Sequence, residues 1–155
     1  MTGSQAVAPS STQKTQSRQA RLRQANLAIL IVLLVQFGLG IGVNLYVTLP
    51  AAGHPEHSSF FGNGPLLAIH AALGMFLILA ALCVLVRAIM SRSVTLLVTS
   101  AAGLVAILVA GFFGSGFTSL LTDGYSLGMA IATAVALACY AVGLFAASAQ
   151  GNRPS

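Results

Sequence analysis

Four apolar runs pattern the chain, at about residues 26–49, 64–86, 94–116 and 125–149, with short connecting segments between them that are richer in polar residues. Each is close to the ~20 residues that a helix needs to cross ~30 Å of hydrocarbon, at ~1.5 Å of rise per residue. The fold class expected is therefore all-α, a four-transmembrane-helix bundle occupying residues 25–149. A short polar segment, residues 150–155, follows it.

The chain before the first run reads differently. Residues Met1 to Ser17 are rich in Ser, Thr, Gln, Ala and Gly and carry almost no large apolar groups, so they cannot bury enough surface to offset the entropy of ordering. Residues 1–24 are expected to form a disordered basic tail. Within it, Ser17-Arg18-Gln19-Ala20-Arg21-Leu22-Arg23-Gln24 is a helical lead-in whose arginines sit among lipid phosphates. Each is worth about 1 kcal/mol near an anionic surface. The apolar run behind it is longer than a secretory signal core and lacks a small-x-small cleavage site, so a retained helix is expected.

Composition agrees with the pattern. Of 155 residues, 57% are hydrophobic and 6% are charged, against the ~25% charged residues of a soluble domain. The net charge of +5 comes from Lys14, Arg18, Arg21 and Arg23 before the first run, Arg87 and Arg92 between the second and third, and Arg153 after the fourth. Four crossings put all seven on one side, which the positive-inside rule assigns to the cytoplasm. Both termini are then cytoplasmic in a multi-pass plasma-membrane protein. The two acids, Glu56 and Asp123, fall in the opposite loops. The basic character therefore reports membrane topology, with the lipid bilayer as partner and no nucleic acid.

Few side chains carry chemistry. His70 is the one ionisable group well inside the second run, about 9 Å from its outer end, and ionisable groups in a membrane usually face a bundle interior. In the first run the polar groups are Gln36 and Asn44. Asn44 lies at about the same depth as His70 and is expected to meet it, unless Gln36 and Asn44 serve only as hydrogen-bonding glue between helices. Gly38 and Gly42 are four apart and share a face that admits a neighbouring helix. In the outer loop, His54, Glu56 and His57 form a candidate divalent-metal cluster, set against the plainer reading of a solvated loop. Cys83 and Cys139 lie inside runs and read as small buried hydrophobes. Ser126, Met129 and Thr133 line one face of the fourth run near its outer end.

Asn44, His70, Ser126 and Met129 thus fall at similar depths on three helices. Helix bundles hold haem between facing helices, and His with Met is one axial pair, so His70 and Met129 are candidate ligands for haem b, with Gly74, Gly111 and Phe112 as walls. The plainer reading of His70 is a neutral imidazole bonded to Asn44, a backbone carbonyl or a partner subunit.

Gln36-Phe37-x-x-Gly40 in the first run and His70-Ala71-Ala72-Leu73-Gly74 in the second resemble the corresponding helices of small bacterial four-helix membrane proteins. Those are similar to one half of haem A synthase and to cytochrome-b-type bundles. The resemblance implies haem held between a helix-two histidine, matched by His70, and a helix-four histidine. At that second position this chain has Tyr125-Ser126-Leu127-Gly128-Met129-Ala130, in which Met129 is the available substitute.

No span holds an Asp or Glu, and no nucleophile motif or phosphate-cradling loop is present, so enzymes that need such groups are disfavoured. The function expected is a non-enzymatic assembly or accessory component of a larger membrane complex or homo-oligomer. Its rivals are a haem-binding electron-transfer or haem-handling protein, and a small transporter or channel subunit.

Overall fold

A computed structural model describes residues 11–46, 64–120 and 123–151. They form four helices in chain order, α1 (Ser11–Tyr46), α2 (Pro65–Ser91), α3 (Val94–Leu120) and α4 (Asp123–Gly151). Each contains a stretch long and apolar enough to cross a membrane: Ala20–Tyr46, Pro65–Ser91, Val94–Phe117 and Gly124–Ala149. The chain is an integral membrane protein built as a four-helix bundle.

The helices overrun the apolar runs because nothing in the flanking sequence stops them. α1 starts at Ser11, and from there to Phe37 the chain has neither Gly nor Pro, so the turn structure of the span propagates backward through the lead-in. Leu22, within the segment expected as tail, is buried against Ala88, Leu96 and Ala147. Residues 1–10 lie outside the described residues. α2 opens with Pro65 in its first turn, where a missing N–H costs nothing, and continues past Val86 to Ser91. It ends at Arg92, in the left-handed conformation at φ 54°, whose N–H reaches the Ile89 carbonyl at 3.3 Å. At 27 residues α2 is about 40 Å long, more than the ~30 Å of hydrocarbon, and Arg87 and Arg92 lie at its C-terminal end.

Neighbours in sequence are neighbours in space, and α4 closes the ring against α1; among the described residues the backbones of the diagonal pairs do not come close. Arg21, Arg23, Arg87 and Arg92 consequently share one end of the bundle, called the basic end below. The α3–α4 interface is the most extensive, α1–α4 comes next, and α2 is the least embraced helix.

The reason lies in small residues. Lipid tails are as apolar as Leu, so helices associate in a membrane through close van der Waals packing rather than by escaping water. Along α3 and α4, aromatic rings seat on glycines: Tyr140 on Gly103, Phe113 on Gly128 and Tyr125 on Gly116. Their order on α3 is the reverse of that on α4, as an antiparallel pair requires. Phe113 and Tyr125 meet edge to face at 6.0 Å.

At mid-height the bundle is solid. Ile29, Leu33, Leu77, Ala81, Val84, Ala106, Ile107, Ala136 and Tyr140, from all four helices, form one buried cluster. The outward faces carry exposed large apolar residues such as Leu45, Phe76, Phe112 and Phe145, which suit contact with acyl chains. Above the solid layer, away from the basic end, the helices part around a cavity.

Candidate functional site

The cavity starts from two pairs of residues with the same spacing. Gln36 and Gly40 lie four apart on α1, as do His70 and Gly74 on α2, so each pair stacks on one helix face. The helices run antiparallel, and the pairs interlock reciprocally. The His70 ring fills the notch at Gly40, where an added Cβ would stand 3.3 Å from its Cε1; the Gln36 amide fills the notch at Gly74, where a Cβ would stand 3.2 Å from its Nε2. A side chain at 40 or 74 would require the facing ring or amide to give by a few tenths of an ångström.

Hydrogen bonds tie the latch. The Gln36 side-chain N–H donates to the His70 backbone carbonyl at 3.0 Å, and the same nitrogen lies 3.4 Å from His70 Nε2. An amide nitrogen has only hydrogens to offer, so Nε2 must accept and the ring proton of the neutral imidazole sits on Nδ1. That leaves two buried atoms without a partner, the Nδ1–H donor of His70 and the Oε1 acceptor of Gln36. Buried polar groups are almost always paired, and leaving one unpaired costs ~1–3 kcal/mol, so a matched donor and acceptor here need a reason.

Met129 reaches the same place from α4. Its Cε approaches the Gly40 notch at 4.0 Å, beside the His70 ring, and its sulfur stands 3.4 Å from where a Cβ on Gly114 of α3 would be. One turn below, the Thr133 hydroxyl donates to the Met129 carbonyl at 2.8 Å. Around this convergence lies about 530 Å³ of space, within the ~300–1,000 Å³ of small-molecule sites. Leu33, Leu77 and Ile107 floor it, Asn44 and Ser126 stand toward the far end, and His70 is the one ionisable side chain among its lining residues.

Gln36, Asn44, His70, Ser126 and Met129 therefore all border one space. The α1 residue that bonds His70 is Gln36, however, and not Asn44. Counting depth from Pro50 and Gly64 treats the two helix ends as level, whereas the actual register sets Leu66 against Gly42 and so drops His70 to the level of residues 36–40. The tight glycine of α1 is likewise Gly40. Gly38 is exposed with nothing within 4 Å of an added Cβ, and Gly42 makes ordinary contact with Leu66 at 3.6 Å. Of the porphyrin walls expected, Gly74 and Gly111 line the cavity, while Phe112 is 70% exposed on the outer surface.

His54, Glu56 and His57 lie outside the described residues. Among the described residues no three His, Cys, Asp or Glu side chains gather as a metal site. Cys83 is exposed and Cys139 half-buried; both are free.

A second polar group, nearer the basic end, escapes the sequence reading. Asn26 is 1% exposed; its Nδ2 donates to the Leu22 carbonyl at 2.9 Å, while its Oδ1 has no partner. That Oδ1 and the Thr99 hydroxyl both crowd the notch at Gly143, at 3.0 and 3.2 Å from an added Cβ. The Tyr140 hydroxyl is also buried and unpartnered. Asn26 opens the first apolar run, so in the sequence it looks like a boundary residue. The solid layer of Leu33, Leu77, Ala106, Ile107 and Ala136 separates this group from the cavity.

For haem, the residue identities suit and the geometry asks for a change. An axial ligand must offer iron a free ring nitrogen with space ahead of it, but Nε2 of His70 is engaged by Gln36 and Nδ1 is buried on the edge facing Gly40. No protein family, curated protein or solved structure matches the chain.

Proposed function

We propose that the protein is a non-catalytic accessory component of the plasma membrane, with both termini in the cytoplasm, that holds a lipid-soluble small molecule in its cavity. The observation that carries this reading is about 530 Å³ of largely apolar space bordered by Gln36, His70 and Met129. The placement of Arg21, Arg23, Arg87 and Arg92 at one end supports the orientation, through the positive-inside rule. The solid layer beneath the cavity weighs against a through-going pore.

The test is extraction and mass spectrometry of small molecules bound to the protein purified in lipid nanodiscs. Wild type should carry a discrete apolar compound at near-equal amount, and Gly111→Leu, where a Cβ meets nothing within 4 Å, should lose at least nine-tenths of it by filling the space. Bulk lipid alone in both preparations would refute the reading.

Haem handling is the second reading. It is favoured by the meeting of His70 and Met129 over Gly40, and it requires Gln36 to release Nε2. Expression with haem supply should then yield a Soret band that His70→Ala abolishes. A colourless, stable preparation would remove it.

A further inference from the structure

The basic end holds Arg21, Arg23, Arg87 and Arg92, and the register of α1 against α2 sets two of them apart. Gly40 faces His70, Gln36 faces Gly74, and Leu22 shares a buried cluster with Ala88. Each step along α1 is thus matched by an equal step back along α2, from the cavity to the basic end. Arg21 precedes Leu22 and Arg87 precedes Ala88, so the two differ in height by only two residues, about 3 Å. In an antiparallel pair the residues just before two facing positions turn to the same side. Arg21 and Arg87 are both exposed, so that side is the outer one. Arg23 comes after Leu22 and turns the other way, onto the flank where Asn26, three residues on, meets α4 at Gly143. Arg92 stands beyond the last turn of α2 as its cap.

The surroundings of the pair say what balances its charge. Arg21 and Arg87 lie within the stretches apolar enough to cross a membrane. Val86, Ile89 and Met90, on either side of Arg87 in the chain, are at least half exposed, so Arg87 stands in surface suited to lipid rather than water. Charged groups in such surroundings are paired. Among the described residues the one acid, Asp123, opens α4 at the far end of the bundle, so neither arginine has a carboxylate partner. The anions within reach of a lipid-facing arginine are the phosphates of the lipids themselves, and the guanidinium fork matches phosphate oxygens. The seam beneath the pair also admits a chain. On the face of α1 that carries Arg21 come Ala25 and Ala28, and on the face of α2 that carries Arg87 come Cys83 and Ala80, each set four and seven residues away. Ala25 and Ala80 pack on the core while Ala28 and Cys83 are exposed, so small side chains line the seam for about 10 Å.

We infer that the outer seam of α1 and α2 binds one anionic phospholipid, its phosphate held between Arg21 and Arg87 and an acyl chain laid along Ala25, Ala28, Ala80 and Cys83. Basic pockets between membrane helices recognise anionic headgroups in this way. A zwitterionic lipid brings an ammonium group toward two arginines and binds less tightly. The solid layer separates this seam from the cavity, and the two sites stand or fall independently.

The experiment is native mass spectrometry of the full chain in detergent, titrated with dioleoylphosphatidylglycerol or dioleoylphosphatidylcholine. The expected result is one saturable dioleoylphosphatidylglycerol per chain, bound at least fivefold more tightly than the zwitterionic lipid. Arg21→Gln and Arg87→Gln should each bring that preference to within twofold, and the double variant should lose little more than either, because both side chains hold one phosphate. Arg23→Gln removes the same charge from the other flank and should keep the preference within twofold of wild type. Ala28→Phe, which narrows the seam without touching a charge, should weaken both lipids. Glycerol 3-phosphate should displace neither. The wild-type titrations stand whether or not the variants fold. Equal affinity for the two lipids, a graded uptake without a saturable first site, or an Arg23→Gln loss as large as that of Arg21→Gln would overturn the assignment in favour of a diffuse basic surface. Displacement by glycerol 3-phosphate would overturn it in favour of a soluble anion.

Discussion

Gly103→Ala is the sharpest probe of the packing that shapes this bundle. A methyl group at residue 103 would stand 2.6, 2.9 and 3.2 Å from three ring atoms of Tyr140, a residue with no exposed surface at the heart of the core. Carbon atoms pack at ~3.5–4.0 Å, so the closest approach falls short by about 1 Å. A buried ring in a close-packed interior has nowhere to retreat, and α3 and α4 must separate along their most extensive interface. Overpacking of this kind costs about 1–3 kcal/mol. Ala also favours the helix over Gly by about 0.5–1 kcal/mol, which partly masks the clash. Gly111→Ala provides the correction, since the same backbone gain arises on the same helix with nothing within 4 Å of the new methyl. The difference between the two variants isolates the clash, and Gly103→Ala should be the less stable by about 1–3 kcal/mol. Unfolding in mixed micelles of rising dodecyl sulfate content, followed by far-ultraviolet circular dichroism, measures it. In a Tyr140→Ala background the difference should vanish. Equal stability of the two single variants would refute the ring-on-glycine account of the α3–α4 pair.

Three further outcomes follow from the same geometry. Tyr140→Phe should leave stability unchanged or raise it by up to about 1 kcal/mol in the same assay, because the hydroxyl it removes is buried without a partner. Gly74→Leu should destabilise by more than about 1 kcal/mol, displacing the Gln36 amide and its bonds to His70, since interhelical polar contacts in membranes are worth ~0.6 kcal/mol on average and up to ~1.7. Gly38→Leu points into open space and should leave the isolated chain stable, while abolishing co-purification of any complex that docks on that face.

The bundle is legible in the sequence because lipid imposes a coarse rule, with four runs of sufficient length and cations on alternate connections. Helix ends are less legible. Nothing in the residues around Ser11 or Val86 distinguishes the edge of a helix from the edge of the hydrocarbon. His70, Gln36 and Met129 stand out as polar or sulfur-bearing groups in apolar surroundings, and they do border one cavity. Their pairing was not readable, because it depends on the stagger between α1 and α2, which the interlock of Gly40 and Gly74 sets and hydropathy does not. Asn26 shows the converse. A polar residue at the lip of an apolar run looks solvated, and only the approach of α4 at Gly143 buries it.

The whole reading turns on where the imidazole of His70 points, and solid-state NMR of the selectively labelled protein in bilayers observes this directly. The account predicts a neutral ring protonated on Nδ1 and bare on Nε2, with through-space contacts from its Cε1 to the Gly40 backbone and from Nε2 to the Gln36 side-chain amide. A ring in contact with lipid acyl chains, and without a cross-peak to Gly40, would contradict it.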